Sequence, residues 1–335
     1  MAEQDAVVTC QVWRNGAVAT ERIPLERISD ELANPGSMVW IDLVRPSRSD
    51  LEKLAAAVGL DDAALEDATA PRERPKVTRH AHHLFFMTYA TRLVDQPLDA
   101  ADNHGRLRLS RVSGFLMDGG LITVRLDDDF DMSPVLRAWE ENYDLLVHGS
   151  GALMHGLLDV IVDGHFETIQ QLDDGIEDLE DTLFEERHTG RAFQRSIYGL
   201  RKDLVQLRRV VLPMREVVNT LLRHRKTGNS ALDPLYDDLY DHVLRAAEWT
   251  ESLRDMVTTV FETNLSLQDA HLNVVMKKLA GWAAIIAVPT AVTGWFGQNL
   301  PYPGFSNNFG LVQSVVLILA LSIGLYALLR SRDWI

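Results

Sequence analysis

Between Leu279 and Leu329 the chain carries no Lys, Arg, Asp or Glu, and Gly297-Gln298-Asn299-Leu300-Pro301-Tyr302-Pro303-Gly304 breaks the stretch near its middle. Its halves, Leu279–Gly297 and Phe309–Leu329, each come close to the roughly 20 residues a helix needs to cross a hydrocarbon core. A buried helix of a soluble protein is rarely so long and so uncharged, so two membrane spans are expected. The link between them, Gln298 to Asn308, is short enough to force a hairpin with both ends on one side of the bilayer.

The flanking charges choose that side. Lys277 and Lys278 precede the first span, Arg330 and Arg332 follow the second, and the link has no positive charge. The positive-inside bias then puts both termini in the cytoplasm and the link outside. The expected location is the cytoplasmic membrane, with the large N-terminal body in the cytosol. No basic segment leading into an apolar core opens the chain, so no cleaved leader is expected. Cys10 is the only cysteine, which suits a reducing compartment.

The formal net charge of −15 argues against nucleic acid as a partner and favours attraction of cations. Residues 1–148 mix short β-rich and helical patterns and read as an α/β domain. Strands are expected at Ala6–Trp13, Met38–Leu43, His83–Leu93, Leu107–Met117 and Leu121–Leu126, with Asn15-Gly16 as a hairpin turn. Helices are expected at Asp50–Val58, capped by Ser47 or Ser49, and at Ser133–Leu145.

Residues 149–230 read as a helical hairpin. Its first arm has eleven acidic residues and no Lys or Arg between Asp159 and Glu186, while Arg191–Arg225 is basic. Complementary faces are the simple structural reading, and a cation-collecting arm the functional one. Gly228-Asn229-Ser230 ends the hairpin, and Asp233-Pro234 opens the next helix with a cap and a first-turn proline. After Pro234 there is no glycine until Gly281 and no proline until Pro289. A cytosolic stalk over 231–278 should therefore run straight into the first span over 279–299, a rod of roughly 100 Å at 1.5 Å per residue. Residues 300–308 form the outer loop, 309–329 the second span and 330–335 a basic tail. Two spans cannot enclose a pore, and a lone rod buries nothing, so several chains should assemble.

The segment Val288-Pro289-Thr290-Ala291-Val292-Thr293-Gly294-Trp295-Phe296-Gly297-Gln298-Asn299 resembles the end of the first membrane helix in the CorA family of divalent-cation transporters. Similar stretches lie upstream in order: Leu65-Glu66-Asp67, Arg74-Pro75-Lys76-Val77, Leu212-Pro213-Met214-Arg215-Glu216-Val217, Asp238-Leu239-Tyr240-Asp241-His242-Val243 and Asn273-Val274-Val275-Met276-Lys277-Lys278-Leu279. The tail Arg332-Asp333-Trp334-Ile335 is similar as well. The resemblance implies an α/β cytosolic domain, a long stalk and two C-terminal membrane helices in a funnel-shaped homopentamer. It implies gated, passive entry of Mg²⁺, often Co²⁺ or Ni²⁺. The zinc-handling ZntB branch shares that architecture, so Zn²⁺ import, with or without protons, is the rival.

Asn273, Met276, Ala280, Ala283, Ala287, Thr290 and Gly294 step by three or four and share one helix face. Five copies would stack as rings, polar near the ends and apolar between. Mg²⁺ sheds its waters reluctantly, so neutral oxygens at Gly297, Gln298 and Asn299 suit a hydrated ion. Met276 and Leu279, followed by Ala283 and Ala287, form the expected hydrophobic gate. Gln298 stands where the family usually has Met, Ala287 where it often has a bulky Met, and the outer loop lacks an acidic residue. The same small residues also serve to pack membrane helices together.

The resemblance further implies inhibitory metal sites between subunits at Glu66, Asp67, Asp238 and Asp163. A structural role for the first two, ending a helix or pairing with Arg72 or Arg74, is the alternative. His80, His82 and His83 alternate at the start of an expected strand without a cysteine pair and read as strand residues rather than a zinc site. No phosphate loop, nucleophile elbow or His-Glu-x-x-His is present, which argues against an enzyme.

Overall fold

The structure is a computed structural model that describes residues 7–14, 17–20, 25–70, 73–94, 105–183, 191–224, 231–298, 301–305 and 307–335. Asn15-Gly16, Gly228-Asn229-Ser230 and Asn299 therefore lie outside the described residues. Two compact units are present, Met1–Val260 and Phe261–Ile335.

The first unit is built on a seven-stranded sheet. Its strands are β1 (Val7–Arg14), β2 (Ala17–Thr20), β3 (Ser37–Val44), β4 (Lys76–Arg79), β5 (Leu84–Leu93), β6 (Leu107–Met117) and β7 (Gly120–Arg125). The spatial order is β2-β1-β3-β7-β6-β5-β4. Among the described strands only β3 and β7 run parallel, with Val39 opposite Gly120 and Val44 opposite Arg125.

Alternate side chains on each strand feed separate cores. Trp13, Trp40, Phe86, Val112 and Leu121 face one side, where they pack with α4 (Ser133–Glu141), α5 (Gly151–Leu183), α6 (Arg191–His224) and the start of α7 (Asp233–Phe296). Val12, Val39, Ile41, Phe85, Met87 and Ile122 face the other, against α1 (Leu25–Leu32), α2 (Arg48–Val58) and α3 (Asp62–Thr69). The sheet is thus covered on both faces.

A buried polar chain fixes the register of β3 and β7. Asp42 and Arg125 pair at 2.6 Å, Thr123 Oγ1 donates to Asp42 at 2.6 Å, and Trp40 Nε1 donates to Thr123 at 3.1 Å. Ser47 caps α2 in a reciprocal box with Asp50, and Gly59 ends that helix with φ of 74°. The helix expected over Ser133–Leu145 is α4 followed by a 3-10 turn, Tyr143–His148.

The seam between α5 and α6 is apolar. Ile169, Leu172, Ile176 and Leu183 meet Phe193, Ile197, Leu200 and Leu204, and Leu253 and Val257 of α7 close the same core. Among the described ion pairs, Arg208 of α6 bonds Glu251 of α7. Asp203 of α6 is fully buried and accepts the backbone N–H groups of Arg106 and Leu107, each at 3.1 Å. That contact ties the helical layer to the start of β6.

The long helix expected from the absence of breakers is present: α7 runs 64 residues, Asp233–Phe296, with Pro289 inside it. The second unit pairs the C-terminal part of α7 with α8 (Asn308–Ser331). Trp282 and Tyr326 meet in a tilted ring contact with centroids 6.5 Å apart, and a Cβ on Gly281 would come within 3.0 Å of Ile335. Tyr302 in the link donates its hydroxyl to the Phe296 carbonyl at 3.3 Å and meets the Phe296 ring at 5.1 Å.

Candidate ion pathway and metal-binding residues

In the second unit, Gly281 and Val292 are buried, with Ile285, Val288 and Phe296 half-buried between and beyond them. At 100° per residue these positions form one stripe, the one that receives α8. Asn273, Met276, Leu279, Ala280, Ala283, Ala287, Thr290 and Gly294 are all exposed and fall on the opposite side of the helix. Met276 is 64% exposed and Leu279 61%, so two large apolar side chains sit on a face that no described residue covers.

About three and four turns beyond Leu279 the polar groups are arranged along the helix. Thr290 Oγ1 donates to the Ile286 carbonyl at 3.4 Å, and Thr293 Oγ1 to the Pro289 carbonyl at 2.8 Å. Each hydroxyl spends its proton on the helix and keeps an oxygen lone pair for other donors. The helix ends at Phe296, and Gly297 N–H still reaches the Thr293 carbonyl at 2.8 Å. Gly297 and Gln298 are both exposed there.

The four carboxylates expected at subunit boundaries divide into two pairs. Glu66 and Asp67 lie on α3, below one face of the sheet; Asp163 and Asp238 lie on α5 and α7, above the other. Asp67 is held by Lys76 of β4 at 2.9 Å, and Lys76 also reaches Glu73 at 3.3 Å. Burial weakens the Lys76 charge, but the hydrogen bonds to Asp67 and Glu73 outweigh it and raise the pKa. Among the described residues Lys76 pairs with Asp67; Arg72, one of the two partners expected from sequence, lies outside the described residues. Glu66 is exposed, and its carbonyl accepts from the Thr69 hydroxyl and the Ala70 N–H.

Asp163 and Asp238 share a neighbour that the sequence did not single out. His242 Nε2 stands 3.8 Å from Asp238, and His242 also acts electrostatically on Asp163. Partial burial raises the Asp163 pKa, Asp159 and Glu167 add to the rise, and His242 opposes it. Four acidic side chains with one imidazole form a negative patch whose charge is only partly balanced. A hint was available in sequence: His242 follows Asp238 by four residues, one turn along the helix.

The histidines do not sit as expected. His80 to His83 form the turn between β4 and β5 rather than the start of a strand, closed by His80 N–H bonding the His83 carbonyl at 2.9 Å. His80 and His83 stack, and His80 Nδ1 meets Asp61 at 2.9 Å.

A sequence profile described as "CorA-like Mg2+ transporter protein" matches residues 35–331. The chain belongs to the CorA family. The cobalt/magnesium transport protein CorA of Thermotoga maritima is 27% identical over 304 residues, 88% of this chain and 83% of that one. The zinc transport protein ZntB of Yersinia enterocolitica is 28% identical over 188 residues, 56% of this chain and 57% of that one. The complete structure of the CorA magnesium transporter from Methanocaldococcus jannaschii superposes with a TM-score of 0.76 at 22% identity, covering 100% of both chains. The CorA architecture thus extends over the whole chain: an α/β domain, a long helix and two C-terminal apolar helices, each long enough to cross a membrane.

Proposed function

We propose that this CorA-family chain is one subunit of a homopentameric channel in the cytoplasmic membrane that admits Mg²⁺, with Co²⁺ and Ni²⁺ as further substrates. The observation that carries this reading is the split of α7 into a stripe that receives α8 and an opposite face left bare. A membrane helix with one covered and one bare face needs neighbours, and copies of the same chain supply them by symmetry. Asn273, Thr290, Gly297, Gln298 and Asn299 then provide neutral oxygens at the two ends of an aqueous path. Met276, Leu279, Ala283 and Ala287 provide an apolar middle that blocks ions when narrow and dry. The basic flanks at Lys277, Lys278, Arg330 and Arg332 support cytoplasmic termini.

Regulation follows from the placement of the carboxylates. Glu66 and Asp67 are held on one face of the sheet and Asp163 and Asp238 on the other. A site using both sets joins α3 of one subunit to α5 and α7 of the next. Carboxylate oxygens are the donors Mg²⁺ takes, so cytosolic Mg²⁺ would bridge the sets and hold the ring closed. Loss of Mg²⁺ lets the acidic patches repel and favours the conducting state.

Zinc is the second reading, supported by the ZntB relative. Purified protein in liposomes, offered Mg²⁺, Co²⁺, Ni²⁺ and Zn²⁺ in turn with and without a proton gradient, separates the two. Proton-independent Mg²⁺ flux that Asn299→Ala abolishes while the oligomer survives supports the channel. Flux of Zn²⁺ alone supports the alternative.

A further inference from the structure

We propose that Asp61, His80 and His83 form a binding site for a borderline transition-metal dication of the zinc class, within the α/β domain and apart from the ion pathway. Each of the three can bring one donor atom within 4.8 Å of the other two. Zinc holds nitrogen at about 2.0–2.1 Å, so tetrahedral donors stand about 3.3 Å apart. Closing that gap needs a side-chain adjustment, not a backbone rearrangement. The two imidazoles now stack with centroids 4.6 Å apart and planes 11° from parallel. Ligation turns one ring out of the stack so that both lone pairs converge.

Three independent features point to a missing partner. His83 is 5% exposed, yet neither of its ring nitrogens has a hydrogen-bond partner. Nor has the buried Nε2 of His80. Leaving such a group unpaired costs about 1–3 kcal/mol. Asp61 occupies the N-cap of α3 with extended backbone, but its carboxylate makes no cap. It turns to His80 Nδ1 instead, at 2.9 Å, and forgoes a bond that commonly contributes about 1 kcal/mol. That contact already brings the carboxylate and the imidazole together as donors within reach of one ion.

The frame is rigid. The turn carrying both histidines is closed by the His80–His83 backbone bond, and Phe115 packs edge-on against His83 at 5.7 Å. The Asp61 side chain is half exposed and gives the ion a way in. Two imidazoles and one carboxylate suit Zn²⁺, Co²⁺ or Ni²⁺ and not Mg²⁺, which takes oxygen. Three protein donors leave a fourth position for water.

The test titrates ZnCl₂ into the full-length protein in detergent by calorimetry, with excess Mg²⁺ present to fill the oxygen sites. Zinc-edge X-ray absorption of the loaded sample then reports the ligands. The expected result is one Zn²⁺ per chain with imidazole scattering, and affinity about 10–100-fold lower in Asp61→Asn and lower still in His80→Gln. The Asp61 side chain is half exposed, so Asp61→Asn keeps the fold should the buried His83→Gln lose it. Unchanged zinc affinity in His80→Gln, or a spectrum without imidazole, would overturn the proposal. Neither readout involves flux, so it stands or falls separately from transport.

Discussion

His242 Nε2 stands 3.8 Å from the carboxylate of Asp238, one turn earlier on α7, and the same imidazole moderates the raised pKa of Asp163 on α5. Two of the four acidic positions expected to regulate transport are therefore one electrostatic group within a single subunit. Glu66 and Asp67 belong to a different layer of the same domain.

Asp238→Ala should leave transport active at internal Mg²⁺ levels that silence the parent protein. Liposome flux measured against a series of internal Mg²⁺ concentrations checks this. Inhibition at the parent concentration would remove Asp238 from the gate.

Lys76 competes with any metal for Asp67, because it already holds that carboxylate at 2.9 Å. Lys76→Met should release Asp67 and shift half-maximal inhibition to lower Mg²⁺, by up to about five-fold, since a partly exposed pair is worth at most ~1 kcal/mol. The same flux series reads the shift. A shift to higher Mg²⁺ would mean that Lys76 supports the closed state instead.

The Asp42–Arg125 pair at the centre of the sheet should matter to folding and not to flux. Asp42→Ala leaves a buried guanidinium with only the distant, exposed Asp128 at 3.9 Å as counter-charge and should cost about 3–5 kcal/mol in denaturant unfolding. Replacing both partners with apolar residues should recover much of that loss. A loss below about 1 kcal/mol in the single variant would contradict this account of the β3–β7 register.

His165 gives the protein an acid limit. It is buried on α5, bonds the Tyr89 carbonyl at 2.8 Å, and burial lowers its pKa to about 4 from an ordinary value of 6.5. Because the folded state resists protonation, the unfolded chain binds the extra proton first. Stability from this group is intact above about pH 6.5, falls as pH drops, and is gone by about pH 4, a loss of about 3 kcal/mol. His165→Gln should flatten melting temperature between those limits. An equally steep profile in the variant would assign the acid sensitivity elsewhere.

The membrane hairpin and α7 were legible in sequence because length, charge and the absence of breakers are local properties. So were β3, β6 and β7, whose β-branched runs end in clear turns. Short elements with little pattern of their own were missed. β4 spans Lys76–Arg79 at the sheet edge and is polar, and α3 has eight residues of which only Ala64 and Ala68 are fully buried. Missing β4 misplaced the histidines, since the turn after it stacks His80 on His83. Asp61 and His242 went unnoticed because their meaning depends on neighbours from other elements, 19 and 79 positions away in the contacts with His80 and Asp163. The packed stripe of α7 required knowing where α8 lies. Within one chain, small residues at helical spacing fit either face equally well.

Cysteine block of flux tests the bare face most directly. In a Cys10→Ser background, single cysteines at Ala283, Ala287, Ile285 and Val292 would be reconstituted and exposed to a membrane-impermeant cationic thiol reagent during dication flux. The account predicts block at Ala283→Cys and Ala287→Cys, with Ile285→Cys and Val292→Cys conducting as before. Block confined to Ile285→Cys and Val292→Cys, or equal at all four, would contradict a pore lined by the face opposite α8.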